Sequence, residues 1–312
     1  MANRRTCSIL PSSAKIDLPT PLAVVCHDAG AANLIISWLA DYAGQSRACM
    51  EGPARILWEN AFPETRTCPL EEALNGAASL LSGTGWASDL ENDARRLART
   101  KGIRNIAVLD HWTNYRERFV RGGESILPDE LWVADKDAEA EACRCFPTLP
   151  VRRLPNLYLE KLAREVAAYG AASARRDPRS ILYVLEPVRQ AWGRSSEPGE
   201  FQALAFFLGS LPSLGINENV KIRLRPHPSD PRGKYDDWPL RYPKLDLTVE
   251  EGGELAEQIA WADWVVGCET FALVIALQAG RIVVSTLPPW APRCRLPQQD
   301  LLHLRDLVVR PT

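Results

Sequence analysis

At 312 residues, with 46% hydrophobic and 24% charged side chains, the chain is long enough for two ordinary domains and too apolar for a disordered one. A net charge of -2 gives no global pull toward nucleic acid or an anionic membrane surface, so any anion site must be local. No uninterrupted apolar run approaches the length of a membrane span, and Pro11, Ser12, Ser13, Lys15 and Asp17 interrupt anything like a signal-peptide core.

The eight cysteines form no CxxC pair and sit mostly in or beside apolar runs, so they read as buried free thiols in a reducing, cytoplasmic compartment. Residues 1–20 read as a flexible lead.

Leu22 to Cys26 is a buried strand, followed by the small-residue turn His27-Asp28-Ala29-Gly30-Ala31-Ala32-Asn33 and a helix to Leu39. Such a turn opens backbone N–H groups at a helix amino end, at the carboxyl edge of a parallel sheet, though it lacks a full GxGxxG. Arg55 to Trp58 is expected as the second strand and Ala77 to Leu81 as the third, ending in Ser82-Gly83-Thr84-Gly85. Leu90, Ala94, Leu97 and Ala98 recur at helical steps before Gly102.

Asn105 to Leu109 then delivers Asp110, His111 and Trp112 to the same kind of edge, with Tyr115, Arg116 and Arg118 following. Leu131 to Ala134 runs into Asp135-Lys136-Asp137; this DxD is either a metal-nucleotide motif or a helix cap with acids in the first turn. A strand at Val151 to Leu154 and a helix at Leu157 to Tyr169 complete a first domain, 21–172.

The small, polar stretch from Gly170 to Arg179 marks the boundary, and 173–312 is the second domain. Ile181 to Leu185 restarts the pattern, and a loop rich in Gly, Ser and Pro, 193–199, precedes the helix Phe201 to Leu211. Lys221 to Arg225 is a strand that stops in Pro226-His227-Pro228, where the prolines hold Arg225 and His227 extended. Asp230-Pro231 reads as a helix start. Strands at 245–249, 264–267 and 281–285 alternate with helices at 254–261 and 271–279, the latter opened by Gly267-Cys268-Glu269-Thr270.

Strand-helix alternation with nearly continuous apolar strands gives an α/β chain of two doubly wound Rossmann-like domains facing a cleft, with ligands at the carboxyl ends of the strands. The polar clusters fall on those ends: His27 to Asn33, Ser82 to Gly85, Asp110 to Tyr115, Arg225 to His227 and Gly267 to Thr270.

Two such domains, His227-Pro228 after a strand, and Gly267-Cys268-Glu269-Thr270 before an apolar helix resemble GT-B glycosyltransferases. More narrowly the chain is similar to bacterial sialyltransferase-like and Kdo-transferase-like enzymes, which use CMP-activated acidic sugars. Their acidic D/E-D/E-G motif corresponds here to Asp110-His111-Trp112, so only Asp110 carries over. The resemblance implies a metal-independent, inverting transferase with no cofactor, a nucleotide-sugar donor on the second domain and a glycan or glycoconjugate acceptor on the first. A lipid-linked acceptor would bring peripheral membrane association; nucleic acid is not an expected partner.

In that reading Asp110 is the base, with His111 able to serve in its place, and His227 serves the leaving phosphate. Arg225, Pro228, Gly267, Glu269 and Thr270 form the donor side. His27, Asp28, Gly30, Asn33, His111 and Tyr115 form the acceptor side. Alternatives stand beside several of these. Asp110 also suits a salt bridge to Arg116 or Arg118, Glu269 a helix first turn, and Arg293 and Arg295 either a sugar carboxylate or solvent. A nucleotide-sugar epimerase or hydrolase of the same fold, or a non-catalytic nucleotide-sugar-binding protein, are the competing functions.

Overall fold

The computed structural model describes residues 16, 18–42, 45–170, 177–216 and 219–308. The chain divides into two compact units, Met1–Tyr158 and Leu159–Thr312. Most of the expected N-terminal lead, and the expected boundary near residue 172, lie outside the described residues.

In chain order the first unit contains β1 (Leu22–Cys26), α1 (Ala29–Leu39), β2 (Ser46–Met50), α2 (Gly52–Ala61), α3 (Leu70–Ala73), β3 (Ser79–Ser82), α4 (Leu90–Lys101) and β4 (Arg104–Leu109). A small antiparallel hairpin, β5 (Val120–Arg121) and β6 (Glu124–Ser125), precedes β7 (Glu130–Val133), α5 (Lys136–Cys145) and β8 (Val151–Arg153). One parallel six-stranded sheet runs β2-β1-β3-β4-β7-β8. Helix α6 (Leu157–Tyr169) follows. Side chains alternate across β1, so Leu22, Val24 and Cys26 pack with α1 and Trp58 on one face, while Ala23 and Val25 pack with Leu90, Ala94 and Ala98 of α4 on the other.

The second unit contains β9 (Ser180–Val184), α7 (Gly199–Ser210), β10 (Lys221–Arg225), α8 (Trp238–Arg241), β11 (Asp246–Val249), α9 (Leu255–Trp261), β12 (Trp264–Gly267), α10 (Phe271–Gln278), β13 (Ile282–Ser285), β14 (Leu302–His303) and α11 (Leu304–Leu307). Its parallel six-stranded sheet runs β11-β10-β9-β12-β13-β14, around a core that includes Tyr183, Phe207 and Trp238. Both units are thus doubly wound and Rossmann-like, as the alternating pattern predicts.

Three expectations are corrected. Arg55 to Trp58 lies within helix α2, and the second strand is β2; Pro53 starts the helix, and Ala54 and Trp58, four apart, are buried while Ile56 faces solvent. No helix starts at Asp230-Pro231. The Asp230 carboxylate is instead taken by Lys234 Nζ at 2.7 Å and by the His227 N–H at 3.2 Å, which leaves nothing to cap a helix. Among the described cysteines six are free thiols, but Cys143 is disulfide-bonded, which its Cys143-x-Cys145 spacing does not announce. Among the described residues no helix is long and apolar enough to cross a membrane.

Candidate functional site

In the first unit the chain reverses its direction of growth between β1 and β3, which opens a crevice at the carboxyl ends of those strands. His27 and Asp28 follow β1 there. Their side chains are 19% and 30% exposed, and His27 Nδ1 lies 2.7 Å from Asp28 Oδ1. The His27 N–H donates to Glu91 Oε1 at 2.9 Å. The imidazole rests on Gly52, where φ is +49° and an added Cβ would come within 2.6 Å of Nε2. Asp28 Oδ2 in turn would lie 2.2 Å from a Cβ on Gly85.

Asp110, at the end of β4, accepts from Arg118 Nη1 at 2.9 Å through Oδ1. Its Oδ2 sits so close to Gly30 that an added Cβ would be 2.0 Å away. Asp28, the N-cap residue of α1, and Asp110 therefore both crowd the amino end of that helix. The macrodipole favours carboxylates at that end. Among the described residues Asp28 makes no side-chain capping bond to α1, so its carboxylate and that of Asp110 flank the helix end and make this edge acidic.

Arg118 is 8% exposed and also donates to Thr113 O and to Thr84 Oγ1, under the Trp86 ring. It is the ion-pair partner the sequence offered for Asp110. His111 Nδ1 lies 3.2 Å from Thr113 Oγ1. Tyr115 is buried, its hydroxyl has no hydrogen-bond partner among the described residues, and burial pushes its phenol well up. Asn33 lies a turn inside α1, where its carbonyl accepts from Ser37 Oγ. Of the expected acceptor-side residues, then, His27, Asp28 and Gly30 share the α1 end with Asp110, and Tyr115 is enclosed in the core around Phe119. The Asp135 carboxylate caps α5 through the N–H groups of Asp137 and Ala138 and accepts from Trp112 Nε1, so the DxD is a capping device here.

Beneath this edge are two groups that sequence reading missed. Glu91 and Arg95 of α4 are fully buried; desolvation raises the Glu91 carboxyl and lowers the Arg95 guanidinium to about 10. Arg95 Nη1 donates to Gly83 O at 3.0 Å, tying α4 to the turn after β3. Their four-residue spacing, beside Ala94 and Ala98, was the available signal.

In the second unit the reversal falls between β9 and β12. Gly267 is required there because a Cβ would meet Val184 O at 2.6 Å. Thr270 caps α10, its Oγ1 accepting from the Ala272 N–H. Glu186, just past β9, accepts from the Glu269 N–H at 2.9 Å, and the Thr270 N–H also favours its carboxylate. Burial outweighs these bonds and pushes Glu186 up to about 7. The amide groups expected to hold a phosphate are thus seated on a protein carboxylate. Glu269 grips Arg295 through its backbone N–H and guanidinium.

His227 stands apart from that pair, at the end of β10. Its Nδ1 accepts from the Ser229 N–H at 3.2 Å and lies 2.8 Å from Ser229 Oγ. In the neutral ring this assignment puts the proton on Nε2, leaving that atom a donor. Pro228 is exposed beside it. Arg225 commits its Nη1 to Gly252 O, Gly253 O and Gln258 Oε1, which holds the 250–258 turn. Behind the loop, Lys234 bridges buried Asp230 and Glu200 at 2.7 and 2.8 Å. Burial works against the Lys234 charge, but those two hydrogen bonds win and hold its ammonium above the usual range. Among the described residues no group of three or more His, Cys, Asp or Glu is placed to hold a metal ion.

No protein-family model matches the chain, and no curated protein does. Among solved structures it is similar to a beta Kdo 2,7 transferase of Thermosulfurimonas dismutans, at 13% identity and a TM-score of 0.33, covering 91% of this chain and 88% of that one. It is likewise similar to a glycosyl transferase family 9 protein of Veillonella parvula, at 13% identity and a TM-score of 0.31, covering 93% of this chain and 88% of that one.

Proposed function

We propose that the chain is a GT-B-type glycosyltransferase that moves a sugar from a nucleotide sugar to a hydroxyl of a glycan or glycoconjugate. The observation that carries this reading is the contrast between the two strand edges. The first unit offers carboxylates where a hydroxyl ligand would bind; the second offers His227 with Nδ1 engaged and Nε2 left to donate.

In the reaction, Asp110 takes the acceptor hydroxyl proton, with Arg118 fixing the carboxylate. The acceptor oxygen forms its bond to the anomeric carbon as the bond from that carbon to the phosphate oxygen breaks, with inversion. His227 donates to the departing phosphate, so that side-chain and amide donors supply the charge a metal would otherwise bring. Glu186 must release the amides of Glu269 and Thr270 as the phosphate arrives. The His227-Pro228 pair favours a CMP-activated acidic sugar, whose carboxylate Arg295 or Arg293 would meet. We place the reaction in the cytoplasm, with a lipid-linked acceptor met at the membrane surface.

The test is a thermal-shift panel of CMP, CDP, UDP, GDP and their sugars, since a ligand of the native state raises the apparent melting temperature. A cytidine nucleotide should give the largest shift, and His227→Ala should reduce it. Asp110→Asn should leave the shift and abolish turnover. No response to any nucleotide would overturn the proposal.

A further inference from the structure

The second unit contains a pocket of about 370 Å3 lined by Trp192, Arg194, Glu197, Gln202, Phe206 and Trp290. It lies between the loop that joins β9 to α7 and the loop that follows β13. Trp192 packs with Cys268, Leu287 and Ala291, so the pocket wall is continuous with the ends of β12 and β13.

Trp290 is 52% exposed, yet it is held in place from several directions. Its Nε1 donates to Gln202 Oε1 at 2.7 Å. The Phe206 ring meets it edge-on at 5.6 Å. Gly193, at φ +63°, lets the backbone pass so near that an added Cβ would be 3.3 Å from Trp290 Cδ1. Gln202 itself is 5% exposed, and its Nε2 donates to Glu197 O at 2.7 Å. One buried amide therefore fixes both the indole and the loop that carries Arg194 and Glu197. An indole left half in water but held this firmly is a preorganised apolar platform.

We propose that this pocket binds a neutral pyranose of a glycan. A pyranose has an apolar C–H face to lay on the indole and a rim of hydroxyls for charged partners. Arg194 and Glu197 are exposed at the rim, and their charges cancel, which suits an uncharged ligand. A nucleobase would stack equally well, and Arg194 or Glu197 could read its edge, so CMP and UMP are the competing ligands to test. The Gln202 amide is spent, Oε1 on Trp290 and Nε2 on Glu197 O and Trp192 O. The site is independent of the reaction assigned above, because binding here needs no turnover.

The experiment is saturation-transfer NMR on the full chain, with methyl glycosides of glucose, galactose, mannose and N-acetylglucosamine and their β-linked disaccharides, and with CMP and UMP in parallel. At least one sugar should receive saturation at its ring C–H protons. Trp290→Ala should weaken that sugar about tenfold, and Glu197→Gln a few-fold. Trp290→Phe, which keeps a ring, guards against a folding defect and should retain part of the binding. Silence from every sugar, or sugar binding indifferent to both Trp290 variants, overturns the proposal. So does CMP or UMP binding that Trp290→Ala removes. His227→Ala should leave the sugar signal unchanged, so failure of the phosphate assignment is read separately.

Discussion

Replacing Glu186 by Gln should stabilise the protein at alkaline pH and do little in acid. Burial lifts the Glu186 carboxyl from 4.5 to about 7, against the bonds it accepts from the Glu269 and Thr270 amides. A carboxyl whose folded value is raised binds its proton better in the native state. Its stabilising proton is fully present below the unfolded value of 4.5 and is lost as pH rises through about 7. The whole displacement corresponds to a ceiling of about 3 kcal/mol, reached near pH 8, with under about 1 kcal/mol expressed at pH 5. Gln reproduces the neutral acid, since its carbonyl still accepts from the amides. Scanning calorimetry of both proteins should therefore show a gain of up to about 6–12 °C at pH 8 and a small one at pH 5. Equal shifts at the two pH values, or a loss at pH 8, would refute the claim that a buried carboxylate is strained there. The same variant should also bind a nucleotide phosphate more tightly at pH 8, because one resident anion has been removed from the amides.

Gly30→Ala sets two effects against each other. Helix propensity alone gains about 1 kcal/mol, but the methyl would lie 2.0 Å from Asp110 Oδ2, so the melting temperature should fall and turnover with it. Lys234→Met leaves Asp230 and Glu200 without their cation and should cost about 3–5 kcal/mol in urea unfolding; a smaller loss than about 1 kcal/mol would show the bridge to be dispensable. Asp135→Ala removes the α5 cap and should cost about 1 kcal/mol by the same measurement, with nucleotide binding unchanged.

The strands that organise both sheets were legible because parallel strands covered on both faces read as continuous apolar runs, as in Val24 and Val25 or Val265 and Val266. The same rule misled at Ile56, Leu57 and Trp58, where a run of strand length belongs to a helix that buries only one side. Turn chemistry was legible at Asp135 and Thr270, both observed caps. It failed at Asp230, whose carboxylate accepts from Lys234 and Tyr235, four and five residues further on, so side chains rather than the N–H groups of a first helical turn satisfy it. The Asp110-Arg118 pair was within reach because its members lie close in sequence. Glu186 seated on α10 was not: the residues that meet are 83 apart, and their meeting depends on β9 and β12 lying side by side.

The outer strands of the two sheets bear on how the protein behaves in concentrated solution. An exposed strand edge offers a row of unpaired N–H and C=O groups to any passing chain. Here β14 has two residues and β8 three, too short to template much pairing. The opposite margins differ in kind: β2 gains a bridge from Thr67 to Ala48, while β11 leaves Asp246 and Thr248 facing water. An exposed carboxylate on this outermost strand disfavours the pairing of a second chain along that margin.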